Sequence, residues 1–394
     1  MKLSLPTALV IAVLAILAAL GTVTVSSAPE PAIRSATQVV CAFDANETKH
    51  CSFVADGVDD DIQIQNALNV GGHILLSEGT FNISTTLDIS SNTTLEMLEG
   101  GQIVSSGSGY SVFQNADYAG SVGNTDIKLV GVNVDDSAQL VDAAGRGIID
   151  FAHVERVRIE NSRLLNSHTT GISVWSGGGA NRNSNISITD NYIENPRGVD
   201  NGAGISLGVT DFYVIADNLF KDIIGGSAAI GPDESTHGTI TGNTGDTVRD
   251  GIVLEGTSTP PTDTLVANNN FEGNDPSQAG WGIALREGAT RNVVVGNTIR
   301  NFGTGIRLMG VDENLVEGNY VSSVGLSGIL LMDEGGSPST GNIITGNFSI
   351  DNDYGIRAIG TADVNTYTDN YLARNSTANL SVVGVDNIIN SNRE

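Results

Sequence analysis

Apolar residues along this chain come in short alternating runs rather than at helical spacing, and the runs repeat. A Gly-Ile-x-apolar phrase begins at Gly171, Gly204, Gly251, Gly282, Gly305, Gly328 and Gly355, with degenerate copies at Ile148 and Ala229. Successive copies stand 22 to 33 residues apart, most often 23. A second phrase ends in Asn191, Asn218, Asn243, Asn269, Asn297, Asn319, Asn347 and Asn370. Two β-rich runs per period, each closed by Gly or Asn, leave no room for a helix. A unit this short cannot bury its apolar face alone, so neighbours must stack, and stacked parallel strands predict an all-β parallel β-helix solenoid. Leucine-rich repeats need a Leu-x-x-Leu-x-Leu-x-x-Asn spacing that is absent, and propeller blades need about 40 residues per repeat.

Side chains alternate between the two faces of a strand, so in each Gly-Ile-x-Leu-x phrase Ile and Leu point inward and the x positions outward. One outward row is then Asp150, Ser173, Ser206, Gly231, Val253, Ala284, Arg307, Leu330 and Arg357. The other is Ala152, Trp175, Gly208, Asp233, Glu255, Arg286, Met309, Met332 and Ile359. With rungs about 4.8 Å apart, Asp233, Glu255 and Arg286 fall on consecutive coils, with Arg307 diagonal to them. Adjacent carboxylates perturb each other's pKa, so one holds a proton and serves as an acid while the other stays ionised. Glycosidases use such pairs; a lyase or epimerase instead needs a base and a cation, here Arg286 or Arg307, to neutralise a uronate carboxylate. A surface ladder in which Glu255 simply pairs with Arg286 is the alternative. The spacing between phrases lengthens over residues 176–185, 257–263 and 333–340, all at one corner, where insertions wall a binding surface. Trp175 beside that corner offers a flat ring to a sugar, and Arg357, at the end of the first row, is a second candidate substrate contact.

The N-terminal part fits the same scheme. Residues 59–68, opening Asp59-Asp60-Asp61, read as an acidic-started amphipathic helix that caps the open end of the solenoid. This helix, then Gly71-Gly72, Gly79-Thr-Phe, Ser91-Asn92-Thr-Thr-Leu and the Gly-Ile and Gly-Asn coils, resembles the right-handed parallel β-helix proteins of the pectin-lyase-like superfamily over residues 54–383. The resemblance implies a right-handed solenoid and leaves activity open, since that superfamily includes pectate lyases, polygalacturonases, alginate epimerases, phage tailspikes and proteins without catalysis. Residues 231–238 are also similar to the Asp-Pro-His-Asp/Glu…Ser-x-His stretch of alginate C5-epimerases, matching at Pro232, Glu234, Ser235 and His237. Gly231 and Asp233 replace that family's acidic residue and histidine, so the similarity implies at most a substrate contact at His237.

Composition narrows the partners. With 19 Lys+Arg against 45 Asp+Glu the net charge is −26, which disfavours nucleic acid and anionic membranes. Hydrophobic residues at 40% exclude a disordered acidic chain. Residues 1–27 read as an export signal: an apolar run follows Lys2 and ends in Ser26-Ser27 before Ala28; an uncleaved anchor is the alternative. Residues 28–53 form an extension whose Cys41 and Cys51 would close a disulfide in an oxidising compartment, and residues 384–394 form a polar tail. No cofactor is expected. Carboxylate-rich spots at Asp59 to Asp61, Asp135-Asp136 and Asp351 with Asp353 suit Ca²⁺ by ligand type but form no known loop pattern, and the five His and four Met form no soft cluster for copper. The expectation is a secreted or cell-surface protein that binds a polysaccharide or surface glycan and modifies it as a lyase or glycoside hydrolase, or else a non-catalytic adhesion scaffold.

Overall fold

The computed structural model describes residues 37–120, 122–141, 147–176, 182–199 and 202–393. The signal or anchor expected at 1–27 lies outside the described residues, as does most of the 176–185 insertion's first half. No helix among the described residues is long and apolar enough to cross a membrane.

Short strands form because each run alternates: Thr93–Met97 and Leu87–Ile89 bury every second residue, the period a strand imposes. Stacked coils produce a 15-stranded sheet and a 22-stranded sheet, and every registered strand pair is parallel. The described residues form an all-β parallel solenoid of about 12 turns with a single short helix among them. The larger sheet carries two runs of rungs, one through Arg163, Tyr192 and Leu219, the other through Ser173, Ser206 and Gly231. They join where strands Leu219–Asp233 and Thr244–Leu254 run through a corner with a register shift between Ile223 and Ala228.

One continuous apolar core runs from Val40 to Leu372. The helix Asp61–Val70 buries Ile64, Ala67 and Leu68 against its first coils. Asp60, fully buried, accepts the N–H groups of Gly57 at 2.8 Å and Asn82 at 2.8 Å, which ties the helix to the sheet. Coils begin earlier and end later than the repeat phrases indicate. Strand Gln38–Cys41 pairs with Gly72–Leu76 because Val40 is apolar and buried, and Ile388–Asn390 pairs with Thr366–Thr368. Cys41 and Cys51 are joined by a disulfide with Cα atoms 5.8 Å apart.

The asparagines that end the second phrase form a buried ladder at one bend. Asn297 donates through Nδ2 to Oδ1 of Asn319 at 2.9 Å, Asn319 to Asn347 at 2.9 Å, and Asn347 to Asn370 at 3.0 Å. Each Oδ1 also accepts a backbone N–H of the preceding coil, as Asn319 does from Asn297 at 2.9 Å. A second ladder runs through Asn292, Asn314, Asn342 and Asn365. Every amide is satisfied by the next coil, which is what a buried polar group requires. Nearer the N-terminus, Asp136 and His168 are wholly buried, with Nδ1 of His168 2.6 Å from Oδ2 of Asp136 and the Ser105 hydroxyl on the other carboxylate oxygen.

Candidate functional site

Parallel pairing turns the outward positions into columns. Trp175 stands opposite Gly208, Gly208 opposite Asp233, and Asp233 opposite Glu255. The Arg286 N–H donates to the Leu254 carbonyl at 3.0 Å, which sets Arg286 on the next rung beside Glu255. The neighbouring column holds Val253, Ala284, Arg307, Leu330 and Arg357 in register.

Arg286 is the hub of the cluster. Its Nη1 contacts Glu255 Oε2 at 2.9 Å, while Nε and Nη2 both reach Glu334 Oε1, at 3.0 and 2.7 Å. The other Glu334 oxygen accepts the Glu287 N–H at 2.9 Å, and Glu287 in turn accepts the Gly256 N–H at 3.0 Å. Glu334 lies on a tight turn closed by its own N–H to the Ser337 carbonyl at 2.9 Å, inside the 333–340 insertion. It reaches back across an intervening coil because that coil offers Gly310 there: φ is +56° and an added Cβ would sit 3.0 Å from the Glu334 Cβ. Glu287, Glu334 and Glu234 lie outside the repeat phrase, so the columns alone do not find them. The signal that points to Glu334 is the lengthened interval at its corner.

Burial, then the carboxylates of Glu255, Glu234 and Glu287, push Asp233 up to about 6. Burial also raises Glu255, and Arg286 opposes that rise. The two acids therefore differ: Asp233 holds its proton to near neutrality, and Glu255 is tied to a guanidinium. Around them carboxylates outnumber cations, so the site as a whole is acidic.

Trp281 covers the second column. Its ring packs on Val253 and Ala284, with the Arg307 guanidinium 4.7 Å and the Arg286 guanidinium 5.6 Å from the ring centroid, and the Trp281 backbone N–H donates to Asp250 at 2.7 Å. Arg307 meets Met332 Sδ at 3.2 Å through Nη2, and its buried Nε has no hydrogen-bond partner among the described residues. Trp175 lies flat over Gly208, where an added Cβ would come 2.2 Å from the indole, and its side is 38% exposed. That ring continues the Asp233–Glu255 column. Arg357 stacks over Tyr354 at 4.4 Å, several rungs away.

His237 is placed elsewhere. It lies in strand Thr236–Thr241 of the 15-stranded sheet, 2.7 Å from Asp211 through Nδ1 and stacked on Phe212 at 4.9 Å. The chain has turned the corner after Asp233, carrying His237 to a different face from Glu255 and Arg286.

The family described as "Periplasmic copper-binding protein (NosD)" matches residues 201–393. No curated protein matches the chain. Among solved structures, the A-module of mannuronan C-5 epimerase AlgE6 from Azotobacter vinelandii superposes with a TM-score of 0.65 at 14% identity, over 86% of this chain and 97% of that one. The hyperthermoactive exopolygalacturonase of Thermotoga maritima gives 0.54 at 12% identity, over 84% and 87%. The Streptococcus pneumoniae surface protein and adhesin PfbA gives 0.56 at 15% identity, over 85% and 95%. At such identities the likeness establishes the fold alone: this is a parallel β-helix protein.

The residues present do not fit copper. His237 is the one imidazole of the matched segment and is held by Asp211. Met309 and Met332 face each other across one rung, but the Arg307 guanidinium occupies the Met332 sulfur, setting a cation where a copper ion would have to bind. The carboxylates suited to Ca²⁺ are likewise engaged, Asp136 by His168, Asp351 by Arg374 and Asp353 by Ser376. Among the described residues no group of three or more His, Cys, Asp or Glu is arranged to hold a metal ion.

Proposed function

We propose that the chain acts outside the cytoplasm, binds a neutral glycan along the Trp175–Asp233–Glu255 column, and cleaves it by glycosidase chemistry. The observation that carries this reading is the pairing of Asp233 and Glu255 on adjacent rungs, with Arg286 2.9 Å from Glu255 and in no ion pair with Asp233 among the described residues. In this reading Asp233, pushed up to about 6, donates its proton to the leaving oxygen. Glu255, whose upward shift by burial Arg286 opposes, faces the anomeric carbon. Adjacent rungs lie about 4.8 Å apart, close to the about 5 to 5.5 Å between the carboxyl groups of retaining enzymes. Trp175 supplies a ring for a sugar face and Arg307 a donor near the second column.

The acidic surroundings favour a neutral substrate. Arg286, an expected clamp for a uronate, is already saturated by Glu255 and Glu334, which supports hydrolysis over elimination or epimerisation. An extracytoplasmic site is supported by the Cys41–Cys51 disulfide and by the periplasmic description of the matching family. The adhesion-scaffold reading draws on the same ion pairs as a structural ladder and on the likeness to an adhesin. The test is release of new reducing ends from a panel of neutral polysaccharides, lost in Asp233→Asn and in Glu255→Gln. Absence of turnover on every glycan, with binding unchanged in both variants, favours the scaffold.

A further inference from the structure

Each ladder asparagine is followed by an outward residue, and near the C-terminal end three of these are aromatic. Tyr320 follows Asn319, Phe348 follows Asn347 and Tyr371 follows Asn370. They occupy consecutive rungs, Tyr320 opposite Phe348 and Phe348 opposite Tyr371, on the run of rungs that does not include Asp233. Earlier rungs of this column hold Thr244, Asn270 and Thr298. The three rings are 39%, 49% and 40% exposed, and the Phe348 and Tyr371 centroids lie 5.6 Å apart. Beside them Ile350 is buried, and Arg374 grips Asp351 in a bidentate pair at 2.7 and 2.6 Å.

The strip is preorganised. Nδ2 of Asn319 donates to Asn347 at 2.9 Å and that of Asn347 to Asn370 at 3.0 Å, directly behind the rings. The backbone therefore fixes their spacing, and little ordering is left for a ligand to impose. Three exposed rings in line form an apolar strip that water solvates poorly.

Charge selects the occupant. Nucleic acid and anionic lipid are repelled by a chain of net charge −26, and a second copy brings the same charge to the contact. Beside the strip Arg374 and Asp351 cancel, and Arg393 stands opposite Tyr371 at its end, so no surplus of carboxylates borders the rings. A neutral glycan matches both parts: the C–H faces of its pyranose rings suit the aromatic faces, and its hydroxyls suit the carboxylate and guanidinium beside them. We propose that Tyr320, Phe348 and Tyr371 form a second, non-catalytic platform for a neutral glycan running along the solenoid axis. The ligand class rests on the glycan reading above; the residues do not overlap the Asp233–Glu255 column.

Affinity electrophoresis of the full chain through gels holding hydroxyethylcellulose, glucomannan, soluble starch or a β-1,3-glucan tests this, at both 0.1 and about 3 M salt to vary screening. The wild type is expected to be retarded by at least one probe. Tyr320→Ala/Phe348→Ala/Tyr371→Ala is expected to weaken that binding at least tenfold, while Tyr320→Phe/Tyr371→Phe retains it. Circular dichroism and the melting temperature establish that the triple variant is folded, and Phe348→Ala alone gives a milder second measurement of the same loss. Binding lost in Trp175→Ala but unchanged in the triple variant overturns the platform while leaving the proposed function standing. No retardation of the wild type by any probe overturns the glycan reading and the platform together. A triple variant that changes its sedimentation coefficient from dimer to monomer, with glycan binding intact, overturns the platform in favour of contact between copies.

Discussion

Arg286 holds Glu255 at 2.9 Å and, among the described residues, makes no ion pair with Asp233, which stands on the far side of Glu255 one rung beyond it. That asymmetry separates two acids that the repeat alone would leave equivalent.

Its first consequence is a pH dependence of stability. The Asp233 carboxyl titrates near 3.8 when unperturbed and near 6 in the folded chain. Between those values the folded state binds more protons than the unfolded state, so this group's contribution to stability falls as pH rises from about 4 to about 6 and then levels off. Asp233→Asn removes the cost of holding the ionised group. Chemical denaturation is expected to show the variant more stable by roughly 1 kcal/mol at pH 7.5, a figure reduced for solvent screening of a half-buried group, with no difference near pH 4. An equal difference at both pH values would contradict the assignment.

Glu334 fastens the hub from two coils away. Glu334→Gln leaves Arg286 with Glu255 as its main partner and weakens a charge-assisted fork, an expected loss of about 1 to 2 kcal/mol. Because the pair is partly exposed, the loss should shrink when the melting temperature is measured in 1 M salt. Gly310→Ala should mimic it, through the contact with Glu334 and the left-handed backbone at that position.

The asparagine ladder should be sensitive in its middle. Asn319→Ala strips the acceptor from the Asn297 backbone N–H and from one N–H of the Asn297 side-chain amide, whose other N–H keeps the Val266 carbonyl, and removes a donor from the Val294 carbonyl. A destabilisation of about 3 kcal/mol or more is expected by urea denaturation, each of the three affected buried groups contributing about 1 to 3. A loss under 0.5 kcal/mol would show that water replaces the amide.

The buried Asp136–His168 pair makes a fourth test. Asp136→Ala leaves His168 and the Ser105 hydroxyl without the acceptor they share, and about 3 to 5 kcal/mol of stability is expected to go. In the double variant with His168→Ala the loss should be smaller than the sum of the two single losses, because one interaction is counted twice.

The repeat phrase made the solenoid legible because its geometry is linear: positions a coil apart become neighbours. Asp233 opposite Glu255 and Ala284 opposite Arg307 follow from that rule. What the rule misses is whatever leaves the coil. Glu334 returns to Arg286 on a turn whose direction depends on Gly310, and Trp281, just ahead of its phrase, folds over Val253 and Ala284, burying outward positions that alternation alone marks as exposed. His237 fails for the opposite reason: a motif similarity groups it with Asp233, and the corner between them sends it to another sheet. Tyr320, Phe348 and Tyr371 stood in the second phrase, whose outward column the Gly-Ile rows do not include.

Both asparagine ladders advance by 22 residues through the coil that links Asn292 and Asn297 to Asn314 and Asn319. Excising residues 297–318 would bring Asn319 into the place of Asn297 and leave Asn342 to follow Asn292, with every amide on both ladders still paired. The rod is thus free to lengthen or shorten by whole turns, in steps of about 4.8 Å, while any fractional insertion at a bend strands a buried amide. Reach, in such a molecule, is a heritable quantity counted in integers.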